Sequence, residues 1–303
     1  MEGVIDPLMR QILCSINNYD LCVTEFVRVV DSLVPKHIYY RICPELRDKG
    51  YTGNQTPLRI QLLGQDPSWM AENAIRAIEL GSHGIDVNFG CPAKAVNKSK
   101  GGAVLLKEPE KIYQILSTMK KSLNDETILS AKIRLGFDDT SLFNELISAI
   151  NSSGVNELAI HARTKSDGYN PPAYWEYINK AVSFSTMQII ANGEIWNREA
   201  ALKCSKVSNT SHLMLGRGAL SLPNIANTIK YDTEPMDWSN LQKLLLTYSQ
   251  LELNGDKSYY FSSRLKQWLR YLKLQFPQAE ELFQQIKKLN NKDEIISLIK
   301  SIN

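Results

Sequence analysis

The segment VNFGCPAKAVNKSKGGAVLL, residues 87–106, places Cys91 directly before a proline at the end of an apolar run. A cysteine is more often a small buried hydrophobic group than a catalyst. The position favours chemistry, because Asn88 and Gly90 precede the thiol where a strand would reach its carboxyl end. A thiol held there could act as a general acid. The three lysines that follow could attract phosphate, although a solvated loop explains them equally well.

Two further strand-like runs contain polar residues that are costly to bury without partners. Lys132 lies in LSAKIRLG, and His161 lies in AIHART. A buried ammonium favours an anionic partner, and a reduced flavin, whose N1/C2 region is negative, would be suitable. A lone strand histidine is usually a satisfied core group, but His161 could donate to the same ring system. Gln61 offers the amide donors and carbonyl acceptor that the pyrimidine edge of a flavin requires.

Two glycine-containing loops follow the last apolar runs, ANGE at residues 191–194 and LGRG at 215–218. Glycines let backbone N–H groups approach a phosphate closely, and an arginine adds charge. Each loop alone could be an ordinary turn. Their joint placement after the last two strands of a barrel favours a phosphate site. The sequence contains no Walker A motif and matches the dinucleotide fingerprint poorly.

These residues fall at the ends of seven short apolar runs that alternate with helix-like segments, which is typical of parallel βαβ units. We therefore predict an α/β fold, a TIM (β/α)8 barrel, in which loops at the carboxyl ends of the strands hold the site. Seven runs are one short of eight, so we expect either a first strand that is truncated at the start of the sequence or a barrel that closes differently. The strand pattern stops after residue 235. We predict a barrel domain over residues 1–237 and a small C-terminal helical domain over 238–303.

Composition limits the class of protein. Hydrophobic residues make up 43% and charged residues 22% of the 303, as in ordinary globular proteins. No apolar run approaches the roughly 18 residues of a membrane span, and the start lacks the pattern of a signal peptide. The five cysteines lack metal-ligand spacing and suit a reducing compartment. We expect a cytoplasmic protein without a membrane segment or a metal.

The motifs NFGCP with a following Gly-Gly, AKIRLG, IHARTK, ANGEIW and LGRGAL, in this order, resemble the tRNA-dihydrouridine synthases, flavoenzymes that reduce a uridine in tRNA. TEFVRVVD, RICPEL, NGEIWN and RLKQWLRYL are similar to the bacterial C-type branch, which acts on uridine 16 of the D-loop. The resemblance implies that Cys91 gives a proton to C5 of uracil while FMN, reduced by NADPH, gives a hydride to C6. It also implies an FMN site formed by Met1, Glu2, Gln61, Lys132, His161, Asn192, Gly193, Glu194, Gly216 and Arg217.

The last fifth of the chain carries the excess positive charge. Residues 240–303 hold ten Lys or Arg against six Asp or Glu, whereas the preceding part is nearly balanced. In RLKQWLRYLK, four apolar residues share one helical face and three basic residues lie opposite: Leu265, Trp268, Leu269 and Leu272 against Lys266, Arg270 and Lys273. RNA binding uses cations for phosphates and aromatic rings for unstacked bases, although a solvated face would look similar. The resemblance implies that tRNA contacts Arg28, Asn88, Tyr169, Arg264, Lys266, Tyr271 and Lys287.

Two other functions remain open on the sequence alone. A small-molecule FMN oxidoreductase of the dihydroorotate dehydrogenase kind would share the barrel but would not need a basic helical tail. An RNA-binding barrel without flavin would need the tail but not the flavin site. The leading interpretation is an FMN-dependent tRNA uridine reductase that uses NADPH, binds the D-loop of tRNA and is a monomer.

Overall fold

A computed structural model of the protein describes residues 3–251 and 260–302. Its strands form one parallel sheet in which the strand order follows the chain order. The strands are β1 Cys22–Arg28, β2 Leu58–Leu63, β3 Ile85–Asn88, β4 Leu129–Arg134, β5 Glu157–His161, β6 Gln188–Asn192 and β7 Leu213–Met214. Within the described ranges the sheet thus has seven strands, one fewer than an eight-stranded barrel.

Helices precede, connect and follow the strands. They are α1 Pro7–Ser15, α2 Lys36–Ile42, α3 Pro67–Glu79, α4 Lys94–Lys98, α5 Pro109–Ser122, α6 Phe143–Ser152, α7 Trp175–Phe184, α8 Arg198–Ser208, α9 Arg217–Ser221, α10 Ile225–Tyr231, α11 Trp238–Gln250, α12 Tyr260–Leu272, α13 Pro277–Ile286 and α14 Lys292–Ser301. Short 3-10 helices span Pro44–Asp48 and Gly102–Lys107. Several starts are encoded locally. At α3, for example, Asp66 accepts a hydrogen bond from the Trp69 amide and Pro67 occupies the first turn.

The chain divides into two compact units, and the larger one, residues 20–195 and 200–214, contains the sheet. Its strands alternate between an apolar face and a polar face. In β4, Leu129, Ala131 and Ile133 are buried apolar residues, whereas Ser130, Lys132 and Arg134 lie on the other face. The same alternation puts polar residues of β2, β3, β5 and β6 on this second face.

The polar face is concave. Arg59 in β2 donates to Glu157 in β5 over 2.6 Å, although β3 and β4 lie between these strands. Three strand spacings of about 4.8 Å would separate the two residues by roughly 14 Å in a flat sheet. The contact therefore requires a strongly curved sheet, as in a barrel. The α/β barrel class predicted from the sequence is confirmed.

The smaller unit comprises residues 1–19, 196–199 and 215–303 and is helical where it is described. Its core is one apolar cluster that includes Trp238, Leu245, Leu269 and Ile295, each at most 9% exposed. Asp6 is buried in this unit, where it caps α1 and accepts a hydrogen bond from the Tyr260 hydroxyl. This division by packing places the first helix with the C-terminal helices. The predicted division into a flavin domain and a tRNA-binding domain is a statement about function and stays a prediction.

Candidate active site

Polar residues meet at the carboxyl ends of the central strands. Strand register places Arg134 beside His161 and His161 beside Asn192. Lys132, two residues before Arg134 in β4, lies beside Asn88 of β3. The sheet therefore brings four of the predicted site residues, in strands β3 to β6, into one neighbourhood on the concave face.

Cys91 follows β3 and is half-buried beside Phe26, Leu63 and Val96. The segment that carries it, residues 89–101, is held by backbone contacts. The Cys91 carbonyl accepts from the Ala103 amide and from the Asn97 side chain, both at 3.0 Å. The structure requires glycine at the second position of the Gly-Gly pair. Gly102 has a φ of +65°, and a Cβ there would lie 2.9 Å from the Cys91 carbonyl oxygen. A glycine at this position lets the chain pass closely behind the thiol.

A hydrogen-bond chain runs from a buried carboxylate to the Cys91 segment. Asp86 is 1% exposed and accepts from Gln61 Nε2 at 2.7 Å. Gln61 Oε1 accepts from Asn88 Nδ2 at 2.8 Å, and Asn88 Oδ1 accepts from the Gly90 amide at 2.9 Å. A carboxylate can only accept hydrogen bonds, so Gln61 must turn its NH₂ group towards Asp86 and its oxygen towards Asn88. Asn88 must then turn its own NH₂ group towards Gln61 and its oxygen towards Gly90. One of the two amide donors of Gln61 is thus already engaged.

Lys132 is a largely buried cation. Its Nζ donates to Asn192 Oδ1 at 3.1 Å, and Asn192 Nδ2 donates to the Met214 carbonyl at 2.8 Å. The pKa of Lys132 is lowered to about 8; burial is the largest cause, Arg134 acts in the same direction and Asp86 opposes the shift. Lys132 forms no ion pair with any residue that the structure describes. An anionic group would therefore find an incompletely neutralised ammonium here.

The loop after β6 has an unusual backbone conformation. Gly193 and Glu194 have φ values of +121° and +57°, and a Cβ on Gly193 would lie 2.9 Å from the His161 ring. Glu194 pairs with the buried Arg163 at 2.7 Å, and Trp175 Nε1 donates to the Gly193 carbonyl at 2.9 Å. The ion pair and the indole hold the loop in this shape.

Arg134 and Tyr169 complete this side of the concave face. Arg134 is 2% exposed and donates to backbone carbonyls of the loops that follow β3 and β5. Its guanidinium carbon lies 5.3 Å from the centre of the Tyr169 ring. That ring is 51% exposed and lies 6.0 Å from the His161 ring. An exposed aromatic surface thus adjoins the buried polar row.

The remaining predicted flavin residues belong to the smaller unit or lie outside the described residues. Gly216 and Arg217, at the start of α9, belong to the smaller unit, where the Arg217 guanidinium carbon lies 5.0 Å from the centre of the Trp196 ring. Met1 and Glu2 lie outside the described residues. The sheet therefore assembles six of the ten predicted flavin residues in one unit: Gln61, Lys132, His161, Asn192, Gly193 and Glu194.

The residues predicted to contact tRNA fall in both units. In the larger unit, Arg28 is exposed and donates to Ser99 Oγ at 2.6 Å. In the smaller unit, Lys266 donates to Asn290 at 3.2 Å, and Lys287 is exposed and donates to Gln284 at 2.6 Å. Tyr271 is partly buried against the apolar core.

Arg264 has a structural contact that the sequence did not predict. Its Nε lies 3.0 Å from Asp6 Oδ2, and its Nη1 donates to the Gly3 carbonyl. The basic residues of α12 are therefore not equivalent. Arg264 is paired with a buried carboxylate, whereas the partner of Lys266 among the described residues is the side-chain amide of Asn290.

Sequence reasoning missed Asp86 and gave no role to Arg134 or Arg163. A signal was present, because polar residues recur at every second position in IDVN and SAKIR. A buried strand with one apolar face and one polar face predicts a polar concave layer in a barrel. The partners could not be predicted, because they lie on strands and loops distant in sequence.

Two searches of the described residues complete the survey. Across residues 3–251 and 260–302, no three His, Cys, Asp or Glu side chains are grouped so that they could hold a metal ion. Over the same ranges, every helix is too short or too polar to cross a membrane.

Comparison with known proteins identifies relatives along the whole chain. Residues 1–302 match the family described as dihydrouridine synthase. A tRNA-dihydrouridine(16) synthase of Shewanella oneidensis is 54% identical over 99% of this chain and 95% of its own length. The protein of the same name from Escherichia coli K12 is 45% identical over 100% of this chain and 96% of its own.

A solved structure of histamine dehydrogenase from Rhizobium sp. 4-9 has a TM-score of 0.55 at 12% identity, over 75% of this chain. The match spans 44% of that structure's chain and supports the fold alone. The family match and the level of identity together settle the classification. The chain belongs to the dihydrouridine synthase family.

Proposed function

We propose that this protein reduces the C5–C6 double bond of uridine 16 in the D-loop of tRNA to dihydrouridine, with bound FMN and with NADPH as the reductant. Members of its family are oxidoreductases, and the named relatives act on position 16 of tRNA. The observation that carries the proposal is the placement of Cys91 at the carboxyl end of β3, within the same concave layer as Lys132. An acid and a buried cation are what a uracil reduction of this kind needs.

The concave layer fits a flavin. Lys132 is a buried cation with an amide as its hydrogen-bond partner, so a negative ring system near it would be stabilised. In this unit, FMN would be held by Gln61, Lys132, His161 and the loop of Asn192, Gly193 and Glu194. Met1, Glu2, Gly216 and Arg217 complete the set that the family resemblance implies. When bound and reduced, FMN supplies the hydride for C6 of uracil.

Cys91 supplies the other hydrogen. Its Sγ–H bond breaks as a C–H bond forms at C5 of uracil, and the thiolate takes up a proton from solvent afterwards. The backbone that carries the thiol is held by hydrogen bonds. The Cys91 carbonyl accepts from Ala103 and Asn97, and the preceding Gly90 amide donates to Asn88, so the thiol has a defined position. Positioned general acids contribute about 10² to 10⁴ in rate.

A base in folded tRNA must leave its stack before it can be reduced, so the protein has to hold the surrounding RNA. We propose that Arg28, Asn88 and Tyr169 contact tRNA from the larger unit. In the C-terminal part, Arg264, Lys266, Tyr271 and Lys287 would bind it. In this account, residues 1–237 carry out the chemistry and 238–303 bind tRNA, and the protein is a cytoplasmic monomer without a metal.

The test uses purified protein, NADPH and two tRNA transcripts, one natural in sequence and one with cytidine in place of uridine 16. We expect protein with the visible absorbance of a flavin to form dihydrouridine at position 16 of the first transcript and none in the second, as read by mass spectrometry of nuclease fragments. Product at another position would contradict the assignment to uridine 16. Turnover of dihydroorotate instead of tRNA would favour the small-molecule alternative.

A further inference from the structure

We propose that Arg134 is a positioning residue that joins the Cys91 segment, residues 89–101, to the Tyr169 segment, residues 164–172. The proposal rests on the function proposed above, because it assigns Cys91 as the acid and Tyr169 as a tRNA contact. It adds a mechanical link between the two.

The link consists of three hydrogen bonds to main-chain oxygens. Arg134 Nε donates to the Gly90 carbonyl at 3.0 Å, one residue before Cys91. Arg134 Nη1 donates to the Thr164 and Gly168 carbonyls, both at 2.9 Å, and Gly168 directly precedes Tyr169. A single planar guanidinium thus touches both segments with different nitrogen atoms.

The chemistry of the acceptors supports a positioning role. A guanidinium that is 2% exposed would gain more from a carboxylate than from neutral carbonyls. Within the part of the chain that the structure describes, Arg134 has no ion pair, so its charge is not used to neutralise a buried acid. Its fork of donors matches carbonyls that point at it from two loops, which a lysine cannot reproduce from one nitrogen atom.

Other contacts fix the far side of each segment. The Gly90 amide donates to the Asn88 side chain, and the Gly90 carbonyl accepts from Arg134. Both backbone groups of Gly90 are therefore hydrogen-bonded. In the other segment, Asp167 accepts from the Thr164 amide and hydroxyl, both at 2.8 Å. Each segment is therefore also held by its own internal hydrogen bonds, and Arg134 hydrogen-bonds to both.

The consequence for the reaction is a fixed spacing between the thiol and the exposed Tyr169 ring, which lies against the Arg134 guanidinium. If tRNA binds against that ring, the target uracil is set relative to Cys91 through Arg134. A displacement of about 1 Å at reacting atoms can cost roughly 100-fold in rate.

The experiment compares Arg134→Lys, which keeps the charge but not the fork, with Arg134→Met, which keeps neither. Arg59→Lys is the matched control. Arg59 is also a buried arginine on the concave face, but it lies at the amino ends of the strands and binds Glu157 and Ser130. Hydrogen exchange of the flavin-loaded enzyme without tRNA is measured first, by mass spectrometry of peptides that cover residues 89–101 and 164–172.

We expect both Arg134 variants to lose protection in both segments together, and Arg59→Lys to change neither. Oxidation of pre-reduced enzyme at saturating tRNA should slow roughly 10- to 100-fold in both Arg134 variants. Flavin reduction by NADPH should stay within about twofold, because it does not use Cys91.

Full protection and full rate in Arg134→Lys would overturn the proposal, as would loss of protection in one segment only. If either Arg134 variant fails to fold, the other carries the test. A wild-type enzyme that tRNA does not oxidise would instead refute the proposed function, and the exchange measurement would still decide whether Arg134 joins the segments.

Discussion

Lys132 combines burial with positive charge, and this combination is unfavourable for the protein without a ligand. Its pKa is lowered from 10.5 to about 8, with burial as the main cause. At pH 7 the ammonium is charged in both the folded and the unfolded chain, so the folded state bears the full cost of burying it. Between pH 8 and 10.5 the unfolded chain binds more protons, so this residue makes the free energy of unfolding rise with pH.

The first prediction concerns Lys132→Met in the flavin-free protein. At about 1.4 kcal/mol per pKa unit, the variant should gain roughly 3 kcal/mol in free energy of unfolding at pH 7. The gain should shrink as the pH rises above 8 and disappear only above about pH 10.5, because the unfolded lysine keeps its proton up to that pH. Urea unfolding of both proteins across this range gives the difference. A difference that does not change with pH would mean that the lysine is not a buried cation.

The same variant predicts the effect on bound flavin. Without the ammonium, the reduced and more negative flavin loses stabilisation, so its reduction potential should become more negative by tens of millivolts. About 30 mV corresponds to 1.4 kcal/mol for a two-electron couple. Equilibration with a redox dye of known potential measures the shift. An unchanged potential would remove Lys132 from the neighbourhood of the flavin.

At the scale of elements, the shape of the loop behind Cys91 depends on a single glycine. Gly102→Ala introduces a Cβ 2.9 Å from the Cys91 carbonyl oxygen and 3.1 Å from the Cys91 Cβ, at a φ of +65°. We expect tRNA-dependent flavin oxidation to slow at least about tenfold while NADPH-dependent flavin reduction is retained.

Gly154→Ala is the control for that substitution. Its φ of +81° gives comparable backbone strain, and the nearest described atom to the added Cβ is Lys120 Cγ at 3.5 Å, an ordinary van der Waals distance. Both variants should lose about 1 kcal/mol of stability from the strained backbone. Equal slowing of tRNA-dependent oxidation in the two variants would show that strain, and not displacement of Cys91, is the cause.

Helix α12 shows that two basic residues on one helix can have different roles. Arg264→Ala removes the partner of the buried Asp6 carboxylate and should cost about 2 kcal/mol in free energy of unfolding. Lys266→Ala should change stability by less than about 0.5 kcal/mol but weaken tRNA binding and reduce its salt dependence by about one counterion. Thermal unfolding and filter binding at several salt concentrations measure both effects. Unchanged tRNA affinity in Lys266→Ala would show that this face of the helix is exposed to solvent and does not bind tRNA.

At the scale of the whole molecule, the sequence predicted what depends on local periodicity. The seven strands, the helices between them and the apolar face of α12, with Leu265 and Trp268 buried, follow from apolar residues at two- and 3.6-residue spacing. Cys91 and Lys132 were singled out because chemistry in a barrel lies at the carboxyl ends of strands, and their roles stay predictions.

Contacts between distant parts of the chain were not predictable in this way. The Arg59–Glu157 pair requires the curvature of the sheet, and the Asp86–Gln61–Asn88 chain requires the exact register of neighbouring strands. The pairing of Arg264 with Asp6 joins the two ends of the chain. A sequence pattern gives the face on which a residue lies, but not the partner that it meets there.

The most direct measurement is single-turnover oxidation of pre-reduced Cys91→Ala enzyme by unmodified tRNA, followed through the flavin absorbance. The substitution removes the acid but leaves Gln61, Lys132 and the loop after β6, so FMN should bind and NADPH should reduce it normally. Oxidation by tRNA should slow by about 10² to 10⁴ because no positioned proton reaches C5. Oxidation at the wild-type rate, with dihydrouridine formed, would mean that Cys91 is a packing residue and would contradict the mechanism.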